Sequence, residues 1–249
     1  MKVENILCVK RVTAVLLSLV FLAGCASGSV SSDHIYDPFE APNRQIHEFN
    51  KLVDAVALRP MAAVYGASVP QELRAIVDNS ANNLGVPGHV VNHILQGDVE
   101  SAAASTARFL VNTTIGVVGL FDPATELGLF AQPADFGETL GVWGVAEGPY
   151  LELPLLGAST VRGTVGILVD FAIDPMRYVI PSPEREYLFL LKGADLVGDR
   201  HTYSDLVDVL LYESADSYAA QRLTYLQNKR RNLEGETVLE DLEDPYAFD

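Results

Sequence analysis

The sequence predicts an all-α fold made of seven to nine short helices. Apolar residues recur every three or four positions along most of the chain, which is the spacing of one face of a helix. Proline and glycine interrupt this pattern at short intervals and limit the length of each helix. No long alternating pattern indicates a sheet. The best strand candidate, residues 150–156, contains Pro154, which cannot donate to a strand ladder.

The composition describes an apolar chain with an acidic surplus. Of the 249 residues, 49% are hydrophobic, the mean hydropathy is +0.17 and the formal net charge is -16. Disordered chains combine high charge with low hydrophobicity, so most of this chain is expected to fold. Nucleic-acid binding depends on Lys and Arg neutralising phosphates, and the acidic balance therefore argues against a nucleic-acid partner.

Residues 1–24 have the features of a lipoprotein signal peptide. Lys10 and Arg11 precede the apolar run 12–23, which is too short to span a bilayer. The run ends Leu22-Ala23-Gly24-Cys25, which resembles the bacterial lipobox, in which the cysteine is acylated and becomes the new N-terminus. An ordinary secretory signal with an incidental cysteine is the alternative. Ala26, by analogy with Gram-negative sorting, favours the outer membrane.

Cleavage before Cys25 would leave a mature chain with one cysteine. The other, Cys8, lies in the removed segment, so neither a disulfide nor a thiolate metal cluster is expected. Removal of Lys2, Lys10, Arg11 and Glu4 takes away a net +2, which changes the charge from -16 to about -18. Residues 25–36, rich in small residues, are expected to be a flexible tether.

The first half of the domain, predicted to span residues 37–232, divides into four helices. The first starts at Asp37-Pro38, and Pro60 interrupts the chain after it. A second helix over 71–83 comes after Pro70, which suits a first helical turn. Pro87 opens a short third helix that ends at Gly97. The fourth begins after Asp98, a favoured N-cap residue, with Glu100 in its first turn.

An uncharged run over residues 109–121 continues the fourth helix. Thirteen helical residues span about 20 Å at 1.5 Å each, whereas a bilayer core of about 30 Å needs about 20 residues. The segment is therefore too short to span a membrane and unusually apolar for a helix in water. Membrane contact and burial in an ordinary helical core are both open on these grounds.

The second half predicts further helices. Residues 136–145 are a short helix or a reentrant segment, and Ser159 is the predicted N-cap of a helix over 160–173. Arg162 and Asp170 oppose the dipole preference of that helix, which suggests that both have partners. Two more helices are predicted over 184–197 and 203–232. The tail 233–249 is acidic and expected to be disordered.

No arrangement of residues indicates an enzyme. His89 and His93 lie four apart, but the frame lacks the glutamate of a zinc-protease helix, so structural histidines are favoured over a metal site. Ser159 lacks the second glycine of a nucleophile elbow. Several aspartates, Asp78 among them, could act as bases, but none is paired with a nucleophile. We expect no catalytic residue, no metal and no cofactor.

Many spaced residues resemble the MlaA/VacJ family of outer-membrane lipoproteins, from the lipobox to about residue 232. They are Asp37-Pro38-Phe39-Glu40, Asn43-Arg44, Phe49-Asn50, Val91-Asn92, Leu95-Gln96-Gly97-Asp98, Arg108-Phe109, Asn112-Thr113, Gly116, Gly119, Asp122, Phe136-Gly137, Thr139-Leu140-Gly141, Gly144-Val145, Gly148-Pro149-Tyr150, Leu153-Pro154, Gly157 and Arg162.

The resemblance implies a ring-like bundle of short amphipathic helices in the inner leaflet of a Gram-negative outer membrane, lipid-anchored on the periplasmic side. The ring would enclose an amphipathic channel and associate with trimeric porins. Phospholipid misplaced in the outer leaflet would pass through the channel to a periplasmic MlaC-like carrier and on to an inner-membrane ABC complex. A structural lipoprotein that scaffolds partners without conducting lipid is the alternative.

Nine residues are candidates for the channel. Asn112, Thr113 and Thr114 would supply polar groups to its wall, although hydrogen bonding within a buried helix explains them equally well. Phe49 and Asn50 would lie at its base, although packing in a helix core is as good an explanation. The remaining candidates are the aromatic residues near the ends of apolar segments: Phe109, Phe121, Phe136 and Trp143.

Overall fold

The computed structural model of the protein describes residues 37–234. The predicted signal peptide, the lipidation site at Cys25, the tether and residues 235–249 of the tail lie outside the described residues. Within the described residues, no helix combines the length and the apolarity needed to cross a membrane.

The predicted helical fold is confirmed, with one small hairpin added to it. The helices are α1 (Glu40–Val53), α2 (Arg59–Ser68), α3 (Gln71–Gln96), α4 (Val99–Thr114), α5 (Pro123–Glu126), α6 (Phe136–Val142), α7 (Val161–Ile173), α8 (Met176–Val179), α9 (Glu184–Thr202), α10 (Ser204–Asp208) and α11 (Ser217–Glu234), and the strands are β1 (Tyr150–Leu153) and β2 (Gly157–Thr160). Two π-helical turns, Asp54–Leu58 and Val209–Glu213, join α1 to α2 and come after α10.

The hairpin corrects the expectation that Pro154 prevents a strand. β1 and β2 pair antiparallel, with Tyr150 opposite Thr160 and Leu153 opposite Gly157. Pro154 lies in the turn between them, where its missing N–H costs no ladder bond. Ser159 therefore belongs to β2, and Thr160 is the N-cap of α7, accepting from the Gly163 N–H at 3.1 Å.

A single helix, α3, replaces the two helices predicted around Pro87. The proline lies inside the helix, where it removes one backbone donor. The helix nevertheless continues, because α3 packs along the length of α4 and buries Ala81, Val86 and Asn92. Tertiary packing thus outweighs a local break, and α3 ends at the left-handed Gly97, as predicted.

The uncharged run 109–121 is only partly helical, which corrects the prediction of a 20 Å helix. The Asp98 cap is confirmed, since its carboxylate accepts from the Ser101 N–H at 2.9 Å. The helix ends at Thr114, however, and the chain then turns through Val117, Val118 and Gly119 with φ of 55°, 60° and 84°. Gly116 and Gly119 allow this turn to pack closely, which a periodicity argument cannot detect.

The predicted partners of the two misplaced charges in α7 are present. Arg162 donates to the Val145 carbonyl at 3.0 Å. Asp170 accepts from the Asn92 side chain at 2.8 Å and from the Phe136 N–H at 3.0 Å. The second of these bonds helps to begin α6, the short helix that was one of the two alternatives for this region, and a capping box of Asp135 and Glu138 opens the helix.

The two C-terminal helices differ from their predictions. The helix predicted over 184–197 continues to Thr202. The single helix predicted over 203–232 is divided instead, because a π-helical turn leads into the extended Ser214. That turn brings the Tyr212 hydroxyl to 2.7 Å from Asp54 of the first π-helical turn.

The interior is polar and the exterior is apolar. Within residues 37–234, ten apolar residues are buried, and five of these are alanine. Sixteen polar or charged residues are buried, and 37 large hydrophobic residues are exposed. Soluble proteins have the opposite distribution, because apolar burial is their main source of stability. The helices of this protein therefore hold together largely through paired polar groups.

The ion pair between Asp54 and Arg200 is the clearest test of this arrangement. Both residues are buried, with 6% and 5% of their surface exposed, and their bonds measure 2.7 and 3.0 Å. Asp54→Ala removes two of the three carboxylate bonds of the buried Arg200 and leaves Asp208, at 2.6 Å, as its remaining partner. The variant is therefore expected to destabilise the protein by about 2–3 kcal/mol, below the full cost of about 3–5 kcal/mol for an unpaired buried charge. Chemical denaturation in mild detergent measures the change.

Asp216→Asn is the matched control for that variant, because asparagine can keep the bond that Asp216 accepts from the Ala219 N–H at the start of α11. Asp216 makes a similar two-bond pair with Arg44, which lowers the pKa of Asp216 to about 2. Both side chains are about 40% exposed, so water screens the pair and the expected cost is below about 1 kcal/mol. Equal costs for the two variants would contradict a stabilising polar interior.

Candidate functional site

The first polar cluster of the interior joins the start of the domain, residues 37–50, to the hairpin. The Asn43 side chain donates to the Tyr150 carbonyl and accepts from the Glu152 N–H, both at 3.0 Å. It also donates to Asp37 at 3.1 Å. Asn43 thus replaces a missing strand partner for β1 and fixes the hairpin against α1.

Glu152 is the centre of this buried cluster. Its carboxylate accepts from the Tyr150 hydroxyl at 2.5 Å and from Gln221 of α11 at 2.9 Å. His47 lies 3.6 Å away and contacts Ser217 at 2.9 Å. Burial and the bond to Glu152 raise the pKa of Tyr150 well above its usual range, so the phenol remains protonated and donates. The cluster joins α1, the hairpin and α11.

A second polar cluster fixes the end of α4. Arg108 donates to Asp122 at 2.7 Å and to the Leu129 carbonyl at 2.6 Å. Asn112 donates to Asp122 at 2.9 Å and accepts from the Ala124 N–H at 3.0 Å. Burial acts to raise the pKa of Asp122, but bonds from Thr125, Asn112 and Arg108 lower it overall, so the carboxylate stays charged.

The two histidines of α3 bind backbone rather than a shared ligand. His89 Nδ1 lies 2.9 Å from the Ala134 carbonyl, and His93 Nε2 lies 3.0 Å from the Gln132 carbonyl. Asn92, between them, contacts Ala134, Asp170 and Thr139. The three side chains hold the segment before α6 against α3, which is the structural role that the sequence favours.

One cavity of about 460 Å³ lies where α2, α3 and α9 meet. Its polar lining includes Tyr65, Arg74, Asp78, Asp195, Asp199 and His201. Oxygen atoms of the three aspartates lie within 4.8 Å of one another, and exposed carboxylates commonly group in this way without a metal. Gly66 makes room for the His201 ring, since a Cβ there would lie 2.1 Å from it.

Burial, with a smaller contribution from the nearby charges of Asp199 and Asp78 and against the opposing charge of Lys192, raises the pKa of Asp195 to about 6. Burial and Asp78 also raise the pKa of Asp199. The cavity thus places carboxylates where their charge is disfavoured, beside a cationic Arg74.

The predicted channel residues lie apart from this cavity, none of them in its lining. Asn112 is buried in the second polar cluster, and Thr113 accepts from Asn83 at 3.1 Å. Thr114 donates to the Leu110 carbonyl of its own helix at 2.6 Å. Asn112 and Thr113 thus bond groups outside α4, and only the exposed Thr114 bonds the backbone of its own helix, so the role of these residues in a channel stays a prediction.

Asn50 fastens the hairpin turn, and Phe49 beside it is exposed. The Asn50 side chain donates to the Leu153 carbonyl at 2.9 Å and accepts from the Leu155 N–H at 2.7 Å. Leu155 has a φ of 65°, a conformation that needs such support in a branched residue. Asn50 therefore stabilises the turn of the hairpin.

The other aromatic candidates lie on or near the apolar exterior. Phe121 and Trp143 are each about 55% exposed, and Phe109 and Phe136 are half-buried. The Phe136 and Trp143 rings meet edge to face at 5.7 Å, and the Trp143 indole donates to the Leu95 carbonyl at 2.9 Å. Their role in a channel stays a prediction.

Sequence patterns alone do not reveal the cavity. Asp78 stands in the sequence as an isolated carboxylate, and Asp195 and Asp199 belong to no recognisable motif. No periodicity links residue 78 to residues 195–199, because α3 and α9 meet only in the folded chain. The i, i+4 spacing of Asp195 and Asp199 within one helix is the signal that could have drawn attention to them.

The family model of the MlaA lipoprotein matches residues 35–232. The intermembrane phospholipid transport system lipoprotein MlaA of Escherichia coli K12 is 34% identical over 223 residues, covering 87% of this chain and 86% of that protein. An uncharacterised protein of Rickettsia prowazekii is 34% identical over 189 residues, covering 76% and 74%. A solved structure that describes the basis for maintenance of bacterial outer membrane lipid asymmetry matches with a TM-score of 0.69 at 30% identity, covering 79% of this chain and 98% of that one.

Asp195→Asn is expected to stabilise the protein in a pH-dependent way. The raised pKa means that the folded state disfavours the charged carboxylate, so the penalty is absent near pH 4, grows up to about pH 6 and is full above it. Discounted for solvent screening, the gain at pH 7.5 is about 1 kcal/mol, or about 2–4 °C in Tm. Thermal unfolding at pH 4 and pH 7.5 measures it; an equal gain at both would contradict the prediction.

Asn50→Ala is expected to loosen the hairpin turn. Loss of its bonds leaves Leu155 without support, at a cost of about 1–3 kcal/mol, and hydrogen exchange of the Leu155 amide should accelerate. Thr114→Val is the control, because Thr114 is exposed and bonds only its own helix. Unchanged exchange at Leu155 in Asn50→Ala would rule out the fastening role.

Proposed function

The chain belongs to the MlaA lipoprotein family, and on that premise we propose that it withdraws mislocalised phospholipid from the outer leaflet of a Gram-negative outer membrane. It passes this lipid to a periplasmic MlaC-like carrier, in the direction of the inner membrane. Acylated Cys25 anchors the protein on the periplasmic side, and trimeric porins are its partners in the membrane. The domain carries out transport and catalyses no chemical step.

The polar interior with an apolar exterior is the observation that carries this proposal. Exposed apolar side chains belong to nearly every helix, among them Val64 of α2, Leu168 of α7 and Leu190 of α9, each 64–70% exposed. In water such a surface is unfavourable, at roughly 25 cal/mol per Å² of apolar area. In hydrocarbon the same surface carries no such cost.

The cavity supports a path for lipid head groups. Moving a charged head group through hydrocarbon without partners is costly, so a conduit needs polar groups along its wall. Arg74 in the lining of the cavity would pair with a phosphate, and Asp78, Asp195 and Asp199 would pair with a cationic amine. Phe49, Asn50, Phe109, Asn112, Thr113, Thr114, Phe121, Phe136 and Trp143 remain proposed contributors to the channel.

A scaffold that assembles partners without conducting lipid is the second candidate. The apolar exterior is compatible with it, because the same surface can bind apolar faces of other proteins. The two functions differ in whether the cavity matters. A scaffold needs no polar path through its structure, whereas a conduit does.

Transfer from donor liposomes to the purified periplasmic carrier separates the two. The lipidated protein, purified in mild detergent, should retain phospholipid detectable by mass spectrometry and should accelerate transfer of a labelled phospholipid. Asp195→Leu with Asp199→Leu is expected to slow transfer about tenfold, equivalent to about 1.4 kcal/mol. Asp216→Asn, which alters an exposed pair, should not. Lipid-free protein that binds its partners and transfers nothing would favour the scaffold.

A further inference from the structure

The cavity between α2, α3 and α9 has side chains of both charges in its lining. Arg74 and Asp78 lie four residues apart on α3, so their backbone positions are about 6 Å apart along one face of the helix. Asp195 and Asp199 have the same spacing on α9. The cavity thus offers a cation and, about one helical turn farther along α3, a group of three carboxylates.

The three carboxylates form a triangle small enough for one primary ammonium to contact all of them. One oxygen atom from each of Asp78, Asp195 and Asp199 lies within 4.8 Å of the other two. A primary ammonium has three N–H donors, and bonds of about 2.8 Å in tetrahedral directions place their acceptors about 4.6 Å apart. A quaternary ammonium has the same charge but no N–H donor, and a glycerol head group has no positive charge. The triangle therefore suits a primary ammonium better than either.

The same carboxylates are electrostatically strained by one another. The charges of Asp199 and Asp78 add to the effect of burial in raising the pKa of Asp195 to about 6. Burial and the charge of Asp78 also raise the pKa of Asp199. A cation bound among the three carboxylates would offset their repulsion and stabilise their charged forms.

Two further polar groups of the lining suit a phosphate. The Nε of Arg74 and the hydroxyl of Tyr65 are buried atoms that have no hydrogen-bond partner within residues 37–234. Burial raises the pKa of Tyr65, so its phenol stays protonated and can donate. A buried donor without a partner is costly, and a ligand with acceptor oxygens would remove that cost for both side chains.

We propose that the cavity selects phospholipids with a primary ammonium head group, whose phosphate binds Arg74 and Tyr65 and whose ammonium binds Asp78, Asp195 and Asp199. The inference rests on the proposed transport of phospholipid and adds which head groups are preferred. A divalent cation fits less well, because Ca²⁺ takes roughly six to eight oxygen ligands and Arg74 in the same lining repels it.

Phospholipid retained by the purified protein tests this preference without requiring transport. The lipidated full-length protein in mild detergent is incubated with equal amounts of phosphatidylethanolamine, phosphatidylcholine and phosphatidylglycerol, and the bound lipid is quantified by mass spectrometry. Phosphatidylethanolamine should exceed phosphatidylglycerol at least about fivefold, because glycerol cannot make the charge-assisted bonds. Phosphatidylcholine should lie between them, since it carries the charge without the N–H donors.

Two variants separate head-group selection from a general effect on the fold. Asp195→Asn with Asp199→Asn removes charge at nearly constant size and should lower the preference below about twofold. Arg74→Gln should reduce binding of all three lipids, because each carries a phosphate, and should keep the preference within about twofold of its original value. Asp216→Asn, which alters an exposed pair, should change neither quantity.

The outcomes distinguish this inference from the proposed function. Equal retention of the three lipids, or a preference that the double asparagine variant does not change, overturns the selection even where labelled lipid still reaches the carrier. A preference that depends on the aspartates, in a protein that transfers no lipid, supports the selection and contradicts the conduit. Protein that retains no phospholipid contradicts both.

Two other ligands of the carboxylates are further outcomes, measured by calorimetry on the same proteins. Free phosphoethanolamine that binds as tightly as the lipid, and loses its binding in the double asparagine variant, assigns the cavity to a soluble amine and overturns the inference. Ca²⁺ at about 1 mM that binds the original protein but not the double variant, and displaces phosphatidylethanolamine, assigns the cluster to a metal and overturns it as well.

Discussion

The pairing of polar groups inside the domain is the constraint on which the rest of the structure depends. Asp54 forms an ion pair with Arg200, and Glu152 accepts hydrogen bonds from Tyr150 and Gln221. These bonds join elements that are distant in the sequence. A buried polar group without a partner is costly, and these partners are therefore obligatory. The hairpin and both π-helical turns exist where they bring such partners together.

This construction leaves the apolar side chains outside. Alanine supplies half of the buried apolar residues, which allows helices to approach closely, while the larger hydrophobic residues face outward. Within a membrane the hydrophobic effect does not drive helices together, and packing of small residues with interhelical hydrogen bonds takes its place. The proposed membrane location would account for both the polar interior and the apolar exterior.

The sequence predicts the positions of the helices better than it predicts which elements pack against one another. Spacing locates the helices, and cap residues such as Asp98 and Gly97 mark their ends, because capping is local chemistry. The helix break predicted at Pro87 is wrong, because packing against α4 outweighs the loss of one backbone hydrogen bond. The helix predicted over 109–121 is wrong after Thr114, because periodicity does not detect the turn that Gly116 and Gly119 allow. The cavity cannot be predicted from the sequence, since Asp78 and Asp195 lie on different helices that come together only in the folded protein.

Measurement of phospholipid in the outer leaflet tests the central claim most directly. Intact cells lacking this protein should expose more phospholipid to a phospholipase added from outside than cells that produce it, and restoring the lipidated protein should reverse the change. Restoring a Cys25→Ser form should not. Equal outer-leaflet phospholipid in cells with and without the protein would contradict the account.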